Sequence, residues 1–411
     1  MNKYKVCVYA ISKNEEKFVK RWVESMKEAD EIYVLDTGST DNTRKELKKL
    51  GVKVKKKKFN PWRFDVARNE SLNMLPEDTD ICVCTDLDEV FENGWREKLE
   101  NIWDKDTTRL AYNYNWSLDE NNNPKVNFYI EKIHNRNDYI WTHPVHEVLT
   151  YIGNKEENKK ITDEITVNHY PDNNKSRGSY LPLLELSVKE DPEDDRNMHY
   201  LGREYMYYGK WNEAIDTLIK HLSLPRATWK DERCASMRFI ARCYLNLNRI
   251  DEARMWLDKA CLEASYLRDP FIERALLEYQ LSNWPEVEKY CLKALEIKSH
   301  TKSYINEVFS WNNTVYDLLS LSYYYQNNLN EVKKYCLRAL EIKEHPKTYI
   351  NEVFSWDYTI YDLLSISYFY ENNLKEALKN VDIAISMNTD KNTEQRLINN
   401  KSIIEKMLNN N

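Results

Sequence analysis

The sequence has little of what marks membrane, nucleic-acid-binding or secreted proteins. Its apolar runs are too short to cross a bilayer, and residues 1–5 lead into a predicted strand without an apolar signal region. The net charge is -7, and the basic run 53–58 is short and begins in alternation with valines, as in a solvated edge strand. We therefore expect no transmembrane segment, no nucleic-acid partner and a cytoplasmic location.

Glycines and closely spaced cysteine pairs are also scarce. Only 7 of the 411 residues are glycine, while 42% are hydrophobic and 31% charged, which is typical of a helix-rich globular chain of two or three domains. The 8 cysteines form no Cys-x-x-Cys pair and are scattered over predicted core strands and helices. This spacing predicts buried free thiols rather than disulfides or a zinc site.

The most informative segment is the apolar run 81–85, which ends abruptly in acidic residues. Such a run is typical of a buried parallel strand, and open α/β sheets bind ligands at the carboxyl ends of these strands. Asp86 and Asp88 are two residues apart, so they share one side of an extended backbone and can hold a hard divalent cation. The alternative is an ordinary exposed acidic loop.

Strands and helices alternate through the first hundred residues, which predicts a mainly parallel sheet with crossover helices. Polar residues follow the first two predicted strands, lie on the helix before the acidic strand and end that strand. We expect them to meet at the carboxyl edge of the sheet. They are Asn14, Glu15, Asp36, Gly38, Ser39, Arg68, Asn69, Asp86 and Asp88.

Four short motifs occur in order along this part of the chain: Ser-Lys-Asn-Glu at 12–15, Asp-Thr-Gly-Ser-Thr-Asp at 36–41, Ala-Arg-Asn at 67–69 and Asp-Leu-Asp at 86–88. Together they resemble the pattern of the family 2 glycosyltransferases, which have the GT-A nucleotide-sugar-binding fold. The resemblance covers roughly residues 1–175. It is greatest to the branch that includes lipopolysaccharide-core glucosyltransferases and the peptide S-glycosyltransferases of glycocin pathways.

The resemblance implies a role for each matching residue. The nucleotide sugar would be bound by Asn14, Glu15, Asp36, Arg68 and Asp86. Asp88 would bind Mn²⁺ or Mg²⁺, with Asp86 as a nucleotide or metal contact. Two plainer interpretations stay open: the segment 36–41 caps a helix, and Arg68 forms a surface ion pair.

Histidines cluster downstream, at 134, 143, 146, 169 and 199, which favours a site over scattered core positions. An inverting transferase needs a base within hydrogen-bond reach of the acceptor, and Glu147 and His146 are the candidates. Related enzymes carry a similar Val-His-Glu and a later histidine, which implies His169 as a further metal ligand. The alternative is a structural turn at 143–147. The Glu-Asp pair that many family members use as base is absent downstream.

The second half is predicted to be helical and repetitive. Residues 304–311 return at 349–356, a shift of 349 - 304 = 45, and degenerate relatives occur earlier. The helix pairs resemble tetratricopeptide repeats, although 45 exceeds their usual length of about 34, so we expect part of an insertion at 303–309. We therefore predict a GT-A, Rossmann-like α/β domain at 1–178 and an all-α tetratricopeptide-like solenoid at 179–411.

The predicted function is an inverting, metal-dependent transfer of a hexose from a nucleotide sugar, UDP-glucose or a similar donor, to an acceptor hydroxyl or thiol. The acceptor is a protein, a peptide or a glycan, and the repeats recruit it or form a homodimer. One alternative is a non-catalytic repeat scaffold with a vestigial nucleotide-sugar-binding domain. Another is a nucleotidyltransferase, which shares an acidic sheet edge.

Overall fold

The computed structural model describes residues 3–118, 122–172, 178, 180–301, 303, 305–343, 357–389 and 391–409. It divides into two compact units. The first comprises residues 1–204 with 302–304, and the second comprises 205–301 with 305–411. The predicted boundary at 178/179, where we expect the repeats to begin, stays a prediction.

Ten strands in the described residues belong to the first unit. They are Val6–Ser12 (β1), Glu31–Asp36 (β2), Lys53–Lys56 (β3), Ile81–Cys84 (β4), Glu89–Phe91 (β5), Arg109–Leu118 (β6), Pro124–Asn135 (β7), Tyr139–Thr142 (β8), Val148–Tyr151 (β9) and Lys159–His169 (β10). The helices of this unit are Glu16–Met26 (α1), Thr43–Lys49 (α2), Phe64–Leu72 (α3), Trp95–Ile102 (α4), Tyr180–Glu190 (α5) and most of Asp195–Tyr207 (α6).

The main sheet has eight strands in the order β3-β2-β1-β4-β7-β6-β10-β5, and β8 pairs with β9 separately. Strands β3, β2, β1 and β4 are parallel, as their alternation with helices predicts. Strand β7 runs antiparallel to both β4 and β6, β10 is parallel to β6, and β5 is antiparallel to β10. The α/β class is thus confirmed. The strands β7, β6, β10 and β5 form a part of the sheet in which parallel and antiparallel pairs are mixed.

The core of the first unit explains why β1 and β4 read as continuous apolar runs. Both strands lie inside the sheet and are buried on both faces. On one face, the helix α1 contributes Trp22 and Met26, which are fully buried. On the other face, Tyr9 and Cys84 pack with Trp141 of β8. The carboxyl ends of β1, β2 and β4 are consequently held together by packing on both sides.

The second unit is helical throughout its described residues. Its helices are Trp211–Ser223 (α7), Lys230–Asn246 (α8), Ile250–Glu263 (α9), Asp269–Gln280 (α10), Trp284–Glu296 (α11), Thr314–Tyr325 (α12), Leu329–Glu341 (α13), Thr359–Tyr370 (α14), Leu374–Met387 (α15) and Lys391–Asn409 (α16), with a short 3₁₀ helix at Val308–Ser310. Each helix from α7 to α16 packs against the next one described along the chain. In addition, α10 contacts α12, and α12 contacts α14.

This pairing of neighbouring and alternate helices is the arrangement of a helical repeat solenoid. Part of an insertion is predicted at 303–309. The 3₁₀ helix begins in this segment, and Phe309 is buried in the core of the solenoid. The repeat of residues 304–311 at 349–356 lies outside the described residues. All eight cysteines are free and buried, as predicted. No helix in the described part of the chain combines the length and apolar character needed to span a bilayer.

Candidate active site

The acidic segment 86–89 follows β4 directly and lies at the carboxyl edge of the parallel strands. The parallel register sets Ser12, at the end of β1, beside Asp36, at the end of β2. Strand β4 pairs with β1 on the opposite side, so its carboxyl end points the same way. The structure therefore brings the polar residues after β1, β2 and β4 to one edge, which is where open α/β sheets bind ligands.

Asn14 and Asp36 organise the loop that follows β2. Asn14 has φ 57° and its Oδ1 accepts a hydrogen bond from the Thr40 N–H at 2.8 Å. The fully buried Asp36 accepts from the N–H groups of Gly38 and Ser39 at 3.2 and 3.1 Å. Gly38 has φ 125°, a conformation that favours glycine, so the loop depends on that residue.

Within the segment 36–41, Asp41 rather than Asp36 contacts the start of α2, and the N-cap residue of that helix is Asn42. Asp41 Oδ1 accepts a hydrogen bond from the Thr43 N–H at 3.0 Å, at the start of α2. Glu15 is buried beside the same helix, and its N–H donates to Thr43 Oγ1 at 2.8 Å. Nucleotide contacts by Asn14, Glu15 and Asp36 stay predictions.

Arg68 connects two of the predicted site residues. It extends from α3, is only 5% exposed, and its Nη2 lies 2.7 Å from Asp86 Oδ1. Its Nε lies 2.9 Å from Glu147 Oε1, on the turn between β8 and β9. The burial excludes the surface ion pair that was the alternative interpretation. Arg68 thus holds together carboxylates that are far apart in the sequence.

Lys132 is a site residue for which the sequence pattern predicts no role. Its ammonium lies 3.2 Å from Asp86 Oδ2 and 2.8 Å from Glu89 Oε1. Burial alone would raise the pKa of Asp86, but the charges of Arg68 and Lys132 outweigh it and hold this pKa well below its usual range. Burial raises the pKa of Glu89, whose side chain is almost fully enclosed. Asp86 is therefore ionised and bonded through both oxygens.

Asp88 lies beside His169, the last residue of β10, with 3.6 Å between Asp88 Oδ2 and His169 Nε2. The other ring nitrogen, Nδ1, is 3.0 Å from the carbonyl oxygen of Trp116 and donates its hydrogen there, so Nε2 is the nitrogen that faces Asp88. Burial alone would lower the pKa of His169, but the Asp88 carboxylate outweighs it and raises this pKa. The Trp116 ring also stacks on the imidazole, with centroids 4.8 Å apart. Asp88 and His169 are thus an oriented oxygen and nitrogen donor pair.

This pair fits a divalent cation such as Mn²⁺, which accepts carboxylate and imidazole ligands. Within the described ranges, no group of three or more His, Cys, Asp or Glu side chains is arranged to hold a metal. Cations that bind nucleotides commonly take one or two protein carboxylates and complete their coordination with phosphate and water oxygens. Two protein ligands therefore suffice. Both oxygens of Asp86 contact cationic side chains, and its role as a further metal ligand stays a prediction.

Glu147 and His146 are adjacent, but they contact different parts of the first unit. His146 has φ 50°, and its ring stacks on Tyr200 of α6 with centroids 4.2 Å apart. Glu147 instead reaches Arg68 and so joins the network at the sheet edge. Among the interactions described, Glu147 contacts that network and the His146 ring contacts Tyr200 instead. The choice of base stays a prediction.

The other histidines of the cluster are dispersed. His143 pairs with Asp194 at 3.1 Å, whereas His134 is fully buried in the sheet. Its Nε2 accepts from the Tyr9 hydroxyl at 2.8 Å, and its Nδ1 donates to the Asn135 carbonyl at 2.6 Å. Burial lowers the pKa of His134 to about 3. His134 is therefore a neutral structural residue.

Acid should destabilise the first unit through His134. The unfolded chain protonates this histidine near pH 6.5 but the native state does so only near pH 3, so stability is full above pH 6.5 and falls by about 1.4 kcal/mol per pH unit below it. Urea unfolding at pH 7 and pH 5 measures this loss, and His134→Gln should show a smaller one. Identical pH dependence in both proteins would contradict the assignment.

An open sheet whose parallel strands end in acidic and amide side chains defines a ligand-binding α/β domain. Residues 7–168 match the family model described as "Glycosyl transferase family 2". The N-terminal domain is therefore a family 2 glycosyltransferase domain, and tetratricopeptide-like helical repeats follow it. No curated protein matches the chain.

Several solved helical-repeat structures are similar to part of the chain. The structure titled "YrrB: a TPR protein with an unusual peptide-binding site" has 14% identity and a TM-score of 0.40, covering 52% of this chain and 96% of its own. MamA has 19% identity and a TM-score of 0.33, covering 40% and 86%. Yeast Tom70 has 12% identity and a TM-score of 0.38, covering 58% and 45%. Because these scores are low, the helix pairs described above remain the basis for the repeat assignment.

Proposed function

We propose that the chain is an inverting, metal-dependent glycosyltransferase that moves a hexose from a UDP-linked sugar to an acceptor hydroxyl or thiol. The observation that carries the proposal is the pairing of Asp88 with His169 beside the network of Arg68, Asp86 and Glu147. This edge offers one oxygen donor and one nitrogen donor for a divalent cation, next to the charged side chains of the network.

Asp88 and His169 would hold the Mn²⁺ or Mg²⁺ ion. When bound, such an ion neutralises the negative charge that grows on the diphosphate as the sugar–phosphate bond breaks. Arg68 keeps the Asp86 carboxylate fixed at the sheet edge through its 2.7 Å contact. The loop braced by Asn14 and Asp36 would contact the nucleoside from the neighbouring strands.

Glu147 is the proposed base, with His146 as the second candidate. A base must reach the acceptor proton on the face of the sugar opposite the leaving diphosphate. The Glu147 side chain is 13% exposed and is held by Arg68, so its position is fixed while part of the side chain remains accessible. Attack from that face inverts the anomeric carbon through a transition state with oxocarbenium character.

The helical repeats would recruit the acceptor, which is a protein, peptide or glycan, or bind a second copy of the chain. Solenoids of paired helices present extended surfaces that suit such partners. A cytoplasmic location stays a prediction of the sequence.

Thermal shift with a panel of nucleotide sugars tests the donor. A UDP-sugar at about 100 times its Kd, with Mn²⁺, should raise the melting temperature of the first unit by about 5–10 °C, because it binds only the native state. The same sugar with EDTA, and GDP- or CMP-sugars with Mn²⁺, should shift it far less. Equal shifts with and without metal would contradict metal dependence, and no shift with any sugar would contradict the function.

A further inference from the structure

The turn that carries Asp88 is closed by the side chain of a buried glutamate. The Glu89 N–H donates to the Asp86 carbonyl at 3.0 Å, and the Asp86 N–H donates back to Glu89 Oε2 at 2.9 Å. The Tyr114 hydroxyl donates to the other carboxylate oxygen, Oε1, at 3.0 Å. Glu89 is 2% exposed, so it does not face a ligand directly. Its carboxylate instead holds the backbone at Asp86, two residues before Asp88.

Lys132 joins the two ends of this turn. It lies on β7, the neighbour of β4, where Ile133 pairs with Val83 just before the acidic segment. Its side chain is 15% exposed, and its ammonium contacts both Asp86 Oδ2 and Glu89 Oε1. The two carboxylates would otherwise repel each other across the turn. Lys132 therefore sets the spacing between them.

The two aspartates of the Asp-x-Asp motif have different contacts. Arg68 occupies Oδ1 and Lys132 occupies Oδ2, so both carboxylate oxygens are bonded to cations. Asp88 has its Oδ2 directed at His169 instead. We propose that Lys132 is a positioning residue: by holding Asp86 and Glu89 it orients Asp88 toward His169 for metal–diphosphate binding. This inference rests on the proposed function.

A residue that only compensates buried charge would have the same contacts, so the test must separate the two roles. The variants are Lys132→Met and the double variant Lys132→Met/Glu89→Gln, which removes the lysine together with a buried negative charge. Lys159→Met is the matched control, because Lys159 begins a strand of the same sheet and also contacts two carboxylates, Glu131 and Glu157. Electron paramagnetic resonance would measure Mn²⁺ affinity in the presence of UDP, and thermal unfolding would measure stability.

Loss of the side chain that orients a metal ligand typically weakens metal affinity 10- to 100-fold. Lys132 acts on Asp88 through Asp86 and Glu89 rather than by direct contact, so we expect a loss at the lower end of this range, about 10-fold, in Lys132→Met. The double variant should recover thermal stability relative to Lys132→Met without recovering affinity, and Lys159→Met should bind as the parent does. Parental affinity in Lys132→Met, or affinity regained together with stability in the double variant, would overturn the positioning role. A parent protein that fails to bind Mn²⁺ with UDP would overturn the proposed function and this inference with it.

Discussion

Replacing Asp88 with alanine should lower metal-dependent cleavage of a UDP-sugar by about 100- to 1,000-fold, the cost typical of removing one group that stabilises charge in a transition state. Asp88 supplies the carboxylate of the donor pair, whose two atoms, Asp88 Oδ2 and His169 Nε2, are 3.6 Å apart. Without Asp88, the nitrogen of His169 is the one ligand of the pair that remains. Excess Mn²⁺ should restore part of the rate, because the main defect is in binding the ion. Release of UDP at increasing Mn²⁺ concentration measures both effects.

Asp106→Asn is the control for this substitution. Asp106 is exposed on the loop between α4 and β6, so its variant should retain the parental rate. Equal rates for the parent and Asp88→Ala, both independent of metal, would refute the assignment of Asp88. They would also favour a scaffold that has lost catalysis.

Arg68→Met should destabilise the first unit by about 3–5 kcal/mol, which is typical when one partner of a buried ion pair is removed. The guanidinium is 5% exposed and bonds two carboxylates, from Asp86 and Glu147. Its loss leaves Glu147 without that cation in a low-dielectric surrounding, while Asp86 keeps Lys132. Urea unfolding at neutral pH measures the change in the free energy of unfolding, provided that the slope with urea is unchanged.

Arg63→Met is the matched control. Arg63 also bonds two carboxylates in the same unit, Asp65 and Glu190, but its side chain is 24% exposed. Water screens such a pair, so its loss should cost about 1 kcal/mol or less. If Arg68→Met and Arg63→Met have the same small effect, the sheet-edge network contributes little to stability and the account of Arg68 is wrong.

Much of the first domain follows from local patterns in the sequence. Apolar runs buried on both faces predict β1 and β4, and the alternation with helices predicts their parallel pairing, which the structure confirms. The antiparallel pairing of β5 with β10 joins residues 89–91 to 167–169, and no local pattern specifies such a distant register. That pairing is what brings Asp88 near His169.

The same limit explains which site residues were missed. Lys132 follows Glu131 in a strand, and charged residues there usually face solvent. Only the antiparallel neighbour β4 makes it a buried contact of Asp86. His146 and Glu147 were indistinguishable in sequence because they are adjacent. The positive φ of His146 turns the chain between them, and their side chains reach different elements.

The 45-residue repeat and the helical periodicity predicted a solenoid, and the second unit has the expected helix pairs. The repeat does not reveal what the solenoid binds, because inward-facing aromatic residues serve packing as readily as binding. Tyr323, for example, is 8% exposed and stacks on Tyr335 with centroids 5.6 Å apart. Sequence patterns identify the architecture here and leave the partner to experiment.

Phosphorus NMR of the products formed from a UDP-sugar with Mn²⁺ tests the central claim most directly. Glycosyl transfer, or slow transfer to water, breaks the bond between the sugar and the diphosphate and releases UDP. The account predicts UDP as the nucleotide product, formed only with metal and lost in Asp88→Ala. Formation of UMP with a sugar 1-phosphate, or UTP formation when pyrophosphate is added, would indicate nucleotidyl chemistry and would contradict it.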